Sequence, residues 1–233
     1  MKRGGTKTAI VTGASKGLGS QIARRLRRAG FHVVGYSRTS PNHVDIRDSS
    51  QVSRLAADVL EEKGKIDVLI NNAGFVQSLS TLERTSDEDL LNAFETNVYG
   101  PFYNMRAVIP SMVKRNEGII INIASKSAIY PVPKLAVYSA SKSALVTLTQ
   151  AVAKELKNTK VVCVAVCPAG MQGTMRAAVY GDENAKEQQS TGRVANIVYE
   201  IVMNGTASGT PVSQGSCTVI RKDRVEIREM QDE

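Results

Sequence analysis

A serine, a tyrosine and a lysine in the stretch SKSAIYPVPKLAVYSASK are the residues best equipped for chemistry. Tyr138 lies thirteen residues after Ser125, and Lys142 four residues after Tyr138. Four residues make about one helical turn, so on a helix Tyr138 and Lys142 project from the same face. A phenol titrates near pH ~10 in water and exchanges protons poorly at neutral pH. An ammonium beside it is expected to favour the phenolate and lower that pKa. A serine hydroxyl at a strand end can hydrogen-bond the same substrate oxygen. Such a trio moves a proton on or off a carbinol oxygen and needs only a hydride carrier.

The elements that must position the trio read as alternating strands and helices. Residues 8–12, TAIVT, form a buried β-branched run. The loop Thr12-Gly13-Ala14-Ser15-Lys16-Gly17-Leu18-Gly19 follows. A helix comes next, with Ile22, Ala23, Leu26 and Ala29 inward and Gly30 as its stop. Strand, glycine-rich turn and helix N-terminus together make an anion cradle. The second strand is read over residues 31–37, a short third over His43–Ile46, and a helix over residues 50–63. The fourth strand, Lys65–Ile70, runs into Asn71-Asn72-Ala73-Gly74. Small residues there let the backbone lie against a ligand, and the asparagine amides can tie strands together.

A long helical region spans residues 86–114 and opens on a Ser86/Asp89 capping pattern. Asn97 sits unfavourably in its middle. It is expected to hold a water or a backbone group near the active centre, or else to lie on the surface. Gly118–Ala124 is the fifth strand. Ligands in open parallel sheets bind beyond the carboxyl ends of strands, so topology places Ser125 correctly. The Tyr138 helix runs to about Leu156. Its apolar face of Ala140, Ala144, Leu145, Leu148, Ala151 and Val152 is flat enough to pack on a symmetry mate. Lys160–Cys167 is the sixth strand. Residues 171–192 are read as a substrate loop with short helical pieces. A helix over 192–203, a strand near Cys217–Ile220 and a charged tail over 221–233 complete the chain. Val225 and Ile227 in the tail suggest a short surface strand.

The second strand ends without the acid that commonly binds the ribose 2′-OH of NAD. Arg38 stands there instead, and Lys16 lies inside the glycine loop. Two cations suit the 2′-phosphate of NADP, so NADP(H) is favoured over NAD(H). Asp45 is placed to receive the adenine amino group.

Composition limits the alternatives. The chain has 233 residues and a formal net charge of +8, which suits one domain. No apolar run reaches the ~18 residues of a bilayer span, and the basic N-terminus lacks the apolar stretch of a signal peptide. Cys163, Cys167 and Cys217 are read as buried free thiols of a reducing, cytoplasmic compartment. His32 and His43 are the two histidines, with no ligand cluster nearby, so no metal is expected. Arginines at 24, 25, 27 and 28, and basic residues at 221, 222, 224 and 228, lack interleaved aromatics, which makes nucleic acid an unfavoured partner.

Together the residues Thr12-Gly13-x-x-x-Gly17-x-Gly19, Asn71-Asn72-Ala73-Gly74, Asn97, Ser125 and Tyr138-x-x-x-Lys142 resemble the short-chain dehydrogenase/reductase family over roughly residues 6–220. The resemblance implies a single doubly wound α/β domain over residues 1–233, Rossmann-like, with about seven parallel strands. It also implies a nicotinamide cofactor and a homodimer or homotetramer. Tyr138 is then the acid/base, with Lys142 on the nicotinamide ribose, Ser125 orienting the carbonyl and Asn97 supporting a relay water. Cofactor contacts are expected from Gly13, Ser15, Lys16, Gly17, Leu18 and Gly19 in the loop. Further contacts come from Ser37, Arg38, Asp45, Ile46, Asn72, Ala73, Gly74, Tyr138 and Lys142. Pro168, Gly170, Met171 and Thr174 are expected to complete the set. One stretch departs from the family pattern: Ala169 stands where glycine is usual and Gly173 where threonine is usual, with Thr174 one place late. Either Thr174 or backbone groups of Met171 would then serve the carboxamide.

The expected activity is NADPH-dependent reduction of a ketone or aldehyde, or oxidation of the alcohol. A cofactor-bound regulatory or nucleic-acid-associated protein on the same scaffold is the alternative, followed by an epimerase or dehydratase.

Overall fold

The computed structural model describes residues 5–39 and 43–229. The basic extreme N-terminus and residues 230–233 of the charged tail lie outside it. A seven-stranded sheet runs through the centre in the order β2-β1-β3-β4-β5-β8-β9. Its strands are β1 (Thr8–Thr12), β2 (His32–Tyr36), β3 (Val68–Asn71), β4 (Gly118–Ile123), β5 (Val161–Pro168), β8 (Cys217–Ile220) and β9 (Val225–Arg228). The first six run parallel; β9 pairs antiparallel to β8. A small hairpin of β6 (Thr206–Ala207) and β7 (Thr210–Pro211) stands apart.

Helices cover both faces, as a parallel sheet buried on two sides requires. On one face, α1 (Gly17–Arg28) and α8 (Thr191–Asn204) press Ile22, Leu26, Val194, Ile197, Val198 and Ile201 onto Ala9, Val11, Ile70, Ile121 and Val166. On the other, α2 (Ser49–Lys63), α4 (Gly100–Arg115) and α5 (Ala136–Glu155) bury Ala56, Val59, Met105, Val108, Met112 and Val152 against Ile10, Leu69, Ile120 and Cys163. Alternate residues of each strand face opposite layers, so one β-branched run supplies both cores. Between β3 and α4 lies α3 (Asp87–Phe94). Between β5 and α8 lie α6 (Thr174–Tyr180) and α7 (Asp182–Lys186).

Four local expectations are corrected. Residues 43–46 form no third strand: one bridge, Ser37 to His43, is all that pairs there. Asp45 turns the chain at once, because its Oδ1 accepts from the Arg47 backbone N–H at 3.0 Å. The seventh strand is β9, from the charged tail. Ala29 is exposed, since it caps α1 instead of packing beneath it. The α5 face divides: Leu145 and Val152 are buried in the core, while Ala140 and Ala151 are exposed.

The long helix over 86–114 holds a further feature. Ser86 caps α3, its side chain accepting from the Asp89 N–H. Then Glu95–Tyr99 winds as a π-turn before α4 resumes. One wider turn rotates Asn97 inward, where it is fully buried.

Candidate active site

A cavity of about 1000 Å³ opens along the carboxyl ends of β1 to β5. At one end lies the glycine loop. Gly13 has φ +64, and a Cβ there would sit 3.0 Å from the Ala73 Cα. A Cβ on Gly19 would stand 2.4 Å from both the Gly13 carbonyl oxygen and the Asn72 Nδ2. Only glycine lets α1 start this close to the strand. No side chain caps that start, so its first N–H groups remain available to an anion. Lys16 and Arg38 are exposed, and both line the cavity.

The floor is held by amides and hydroxyls. Thr12 Oγ1 accepts from the backbone N–H groups of Asn72 at 2.9 Å and Ala73 at 2.8 Å. Asn72 Nδ2 donates to the Thr12 carbonyl at 2.9 Å. Asn71 Nδ2 donates to Asn122 Oδ1 at 2.8 Å, and Asn122 Nδ2 donates to Thr149 Oγ1 at 2.9 Å. These bonds lock β1, β3, β4 and α5 together, so the backbone beside the cavity cannot shift independently.

Ser125 follows β4, and Tyr138 and Lys142 lie on α5. The Tyr138 hydroxyl hydrogen-bonds Ser125. Lys142 is buried, donates from Nζ to the Ile123 carbonyl at 2.9 Å and lies 6.0 Å from the Tyr138 ring centroid. Burial dominates both titrations. It pushes the Tyr138 phenol up, against a smaller downward pull from Ser125. It lowers the Lys142 ammonium to about 8. The sequence expectation was the reverse for Tyr138. It took the ammonium as fully charged and discounted what removal from water costs both groups.

Asn97 does not line the cavity. Its Oδ1 accepts from the Phe75 N–H at 2.9 Å, and its Nδ2 donates to the Phe75 carbonyl and to Ser141 Oγ, each at 2.9 Å. It therefore clamps the segment after β3 to α5, one residue from Lys142. Gly19 also lies outside the lining, beneath the loop. All the other residues named from the sequence as catalytic or cofactor-binding line the one cavity, including Ser37, Ile46, Gly74, Pro168, Gly170, Met171 and Thr174.

Three contributors escaped the sequence reading. Ser127 is buried, and its Oγ donates to Ser125 Oγ at 2.8 Å. Nothing in the sequence distinguishes it from Ser139 or Ser143. Arg47 holds Asp45 through Nε at 3.1 Å and Nη2 at 2.7 Å, and these bonds lower the Asp45 carboxyl. The i,i+2 spacing of the pair was a readable signal for this contact. Cys167 at the end of β5 meets Cys217 of β8, with Sγ atoms 2.8 Å apart, and also accepts from the Ser125 N–H. The contact with Cys217 and burial both hold its thiol well above the ordinary range.

The cavity fits a dinucleotide. It offers a glycine cradle that a Cβ would fill, an uncapped helix start, two exposed cations at one end and the Ser/Tyr/Lys group at the other. Among the described residues, no group of three His, Cys, Asp or Glu side chains stands close enough together to hold a metal ion. Among the described residues no helix is long and apolar enough to cross a membrane.

Comparison with known proteins points the same way. Residues 7–184 match the family described as short chain dehydrogenase. The chain is 33% identical over 230 residues to an NADPH-dependent pterin aldehyde reductase of Arabidopsis thaliana, covering 91% of this chain and 93% of that protein. It is 31% identical over 200 residues to a 2,3-dihydro-2,3-dihydroxybenzoate dehydrogenase of Bacillus subtilis, covering 78% and 76%. Among solved structures, a 3-ketoacyl-(acyl-carrier-protein) reductase from Brucella melitensis complexed with NADH superposes with a TM-score of 0.84. It is 25% identical, and the match covers 93% of this chain and 97% of that one. A serine dehydrogenase complexed with NADP+ gives a TM-score of 0.79 at 27% identity, covering 84% and 89%.

Proposed function

Because the chain belongs to the short chain dehydrogenase family and is an NAD(P)-dependent oxidoreductase acting on CH–OH and C=O groups, we propose that it uses NADPH to reduce a ketone or aldehyde at Ser125, Tyr138 and Lys142. The observation that carries this reading is the Ser125–Tyr138 hydrogen bond beside buried Lys142, in the same cavity as the glycine loop.

A bound nicotinamide supplies the hydride. The protein's task is to place the carbonyl oxygen and give it a proton. Ser125, held by Ser127 and by its own N–H on Cys167, donates a hydrogen bond to that oxygen. Tyr138 is the acid. Its raised pKa keeps the phenol protonated at neutral pH, which suits the reductive direction. Lys142 holds the nicotinamide ribose and lies close enough to the phenol to stabilise the charge left after proton transfer. Asn97 keeps Lys142 and the Phe75 backbone in register, and a water there would extend the relay. Pro168, Gly170, Met171 and Thr174 line the same cavity and would hold the carboxamide of a bound nicotinamide.

Lys16 and Arg38 support NADPH over NADH, because no hydrogen bond or ion pair engages either side chain among the described residues. The Arabidopsis relative is named for the same cofactor. Free buried cysteines suit a cytoplasmic enzyme. Exposed Leu91, Tyr99 and Phe102 along α3, the π-turn and α4 suit a homodimer or homotetramer.

Tyr138→Phe tests the mechanism. It is expected to lower kcat/KM on a ketone panel by about 10²–10⁴-fold, with the dissociation constant for NADPH unchanged. Undiminished turnover removes Tyr138 from the chemistry. Arg38→Asp tests the cofactor. The NADPH-over-NADH ratio of kcat/KM should fall by about 100-fold, as expected when a charge-assisted contact becomes a repulsion. A preference for NADH in the unaltered protein would refute the Lys16/Arg38 argument.

A further inference from the structure

Beyond Tyr138 the cavity wall is made by α6, and one cation there has no counter-ion among the described residues. Arg176 is half-buried and lines the cavity. Its guanidinium lies 3.8 Å from the centroid of the Tyr180 ring. Its Nε donates to Asn184 Oδ1 at 2.9 Å. Tyr180 in turn lies close enough to Tyr138 to act on its ionisation. Stacking and one hydrogen bond fix the guanidinium plane, while its two terminal nitrogens keep their donors for something else. Lys126, next to Ser125, is half-buried and lines the same cavity. Among the described residues its side chain makes no hydrogen bond or ion pair, and Arg176 makes no ion pair. Two carboxylates border the cavity, Asp45 and Glu88. Asp45 is committed to Arg47, and Glu88 is within ion-pair reach of neither Arg176 nor Lys126.

Two cations partly withdrawn from water beside the acid, with no carboxylate to match them, call for an anion from the ligand. A guanidinium fixed by a ring contact and one Nε bond, with both terminal nitrogens uncommitted, is suited to grip carboxylate or phosphate through two parallel bonds. We propose that the substrate is a carbonyl compound bearing a carboxylate or phosphate, which Arg176 grips with Lys126 beside it while the carbonyl oxygen meets Ser125 and Tyr138. This deepens the reductase reading and rests on it.

The test uses matched pairs: an oxo acid against its methyl ester, and a keto phosphate against the corresponding keto alcohol. For each pair kcat/KM is measured with the preferred nicotinamide on the unaltered enzyme and on Arg176→Gln, Arg176→Lys and Lys126→Gln. At least one anionic member should be favoured by about 50-fold or more, the scale of a bidentate charged contact. Which pair shows it distinguishes carboxylate from phosphate. Arg176→Gln should collapse that ratio to within a few-fold, Arg176→Lys should retain part of it, and Lys126→Gln should lower it less. Equal use of charged and neutral members overturns the proposal, as does a ratio that survives Arg176→Gln in a protein of unchanged circular dichroism. Calorimetric titration of the cofactor-bound protein with the same pairs reads the grip without turnover. An anion preference that depends on Arg176 but comes with no reduction would sink the reductase reading and keep the anion site. Equal binding would sink the anion site alone.

Discussion

The two ends of the cavity are built differently. At the glycine-loop end, short polar bonds tie Thr12, Asn71, Asn72 and Asn122 into neighbouring strands, and a Cβ on Gly13 or Gly19 would meet backbone. At the α6 end, Gly173 has open space around it and φ +139. There a Cβ on Gly170 would first meet the flexible Gln188 side chain. The first end is over-determined, so nearly every atom has one place. The second is set by a few stacked side chains on short helices. A binding site for a ligand shared by many enzymes tolerates no freedom, whereas selection of a particular substrate is written in residues that can change without disturbing the sheet.

The sharpest way to break this contrast is Gly19→Ala. The added methyl meets the Gly13 carbonyl, which cannot yield without moving β1 or α1. Dinucleotide affinity should fall by about 100-fold or more, with a lower Tm; a calorimetric dissociation constant within threefold of the original would show the loop to be as forgiving as α6. Next in size is Asn97→Ala. It leaves both Phe75 backbone groups and Ser141 without their partner, at about 3 kcal/mol, read as a fall in the urea midpoint. An unchanged midpoint would mean that the π-turn holds itself.

Lys142→Met should have the smallest effect on stability, and of opposite sign. The folded pKa of Lys142, about 8, lies below the ordinary lysine value. The unfolded chain therefore binds more protons between the two values. The burial penalty is fully present below about pH 8 and is relieved as pH rises toward the unfolded pKa. Removing the amine should raise Tm at pH 7 by a few degrees and abolish activity. The gain over the unaltered protein should shrink through pH 8–10. A Tm gain independent of pH would assign the effect to packing instead.

Much of the glycine loop and of the Tyr138–Lys142 pair was legible in the sequence because their constraints are local. Glycine spacing between a strand and a helix, and four residues between tyrosine and lysine, translate directly into geometry. What was not legible depends on distant partners. The π-turn at Glu95–Tyr99 exists because Asn97 finds Phe75 and Ser141. The run at 43–46 has strand-like residues but is overruled by the Asp45–Arg47 turn. The direction of the Tyr138 shift follows from how much protein covers the phenol, which no spacing reports. The charged tail looked like surface. Alternation at Val225 and Ile227 was a true strand signal, but its partner was fixed by the edge that β8 left open.

The meeting of Cys167 with Cys217 also bears on how the molecule comes together. The strand that closes the floor under Ser125 enters the sheet fifty residues after the one it lies against, past three helices and a hairpin. During synthesis the glycine loop and Tyr138 both emerge well before their foundation does. Catalytic competence is therefore a late property of the chain, acquired when a long excursion returns, and not a gradual one.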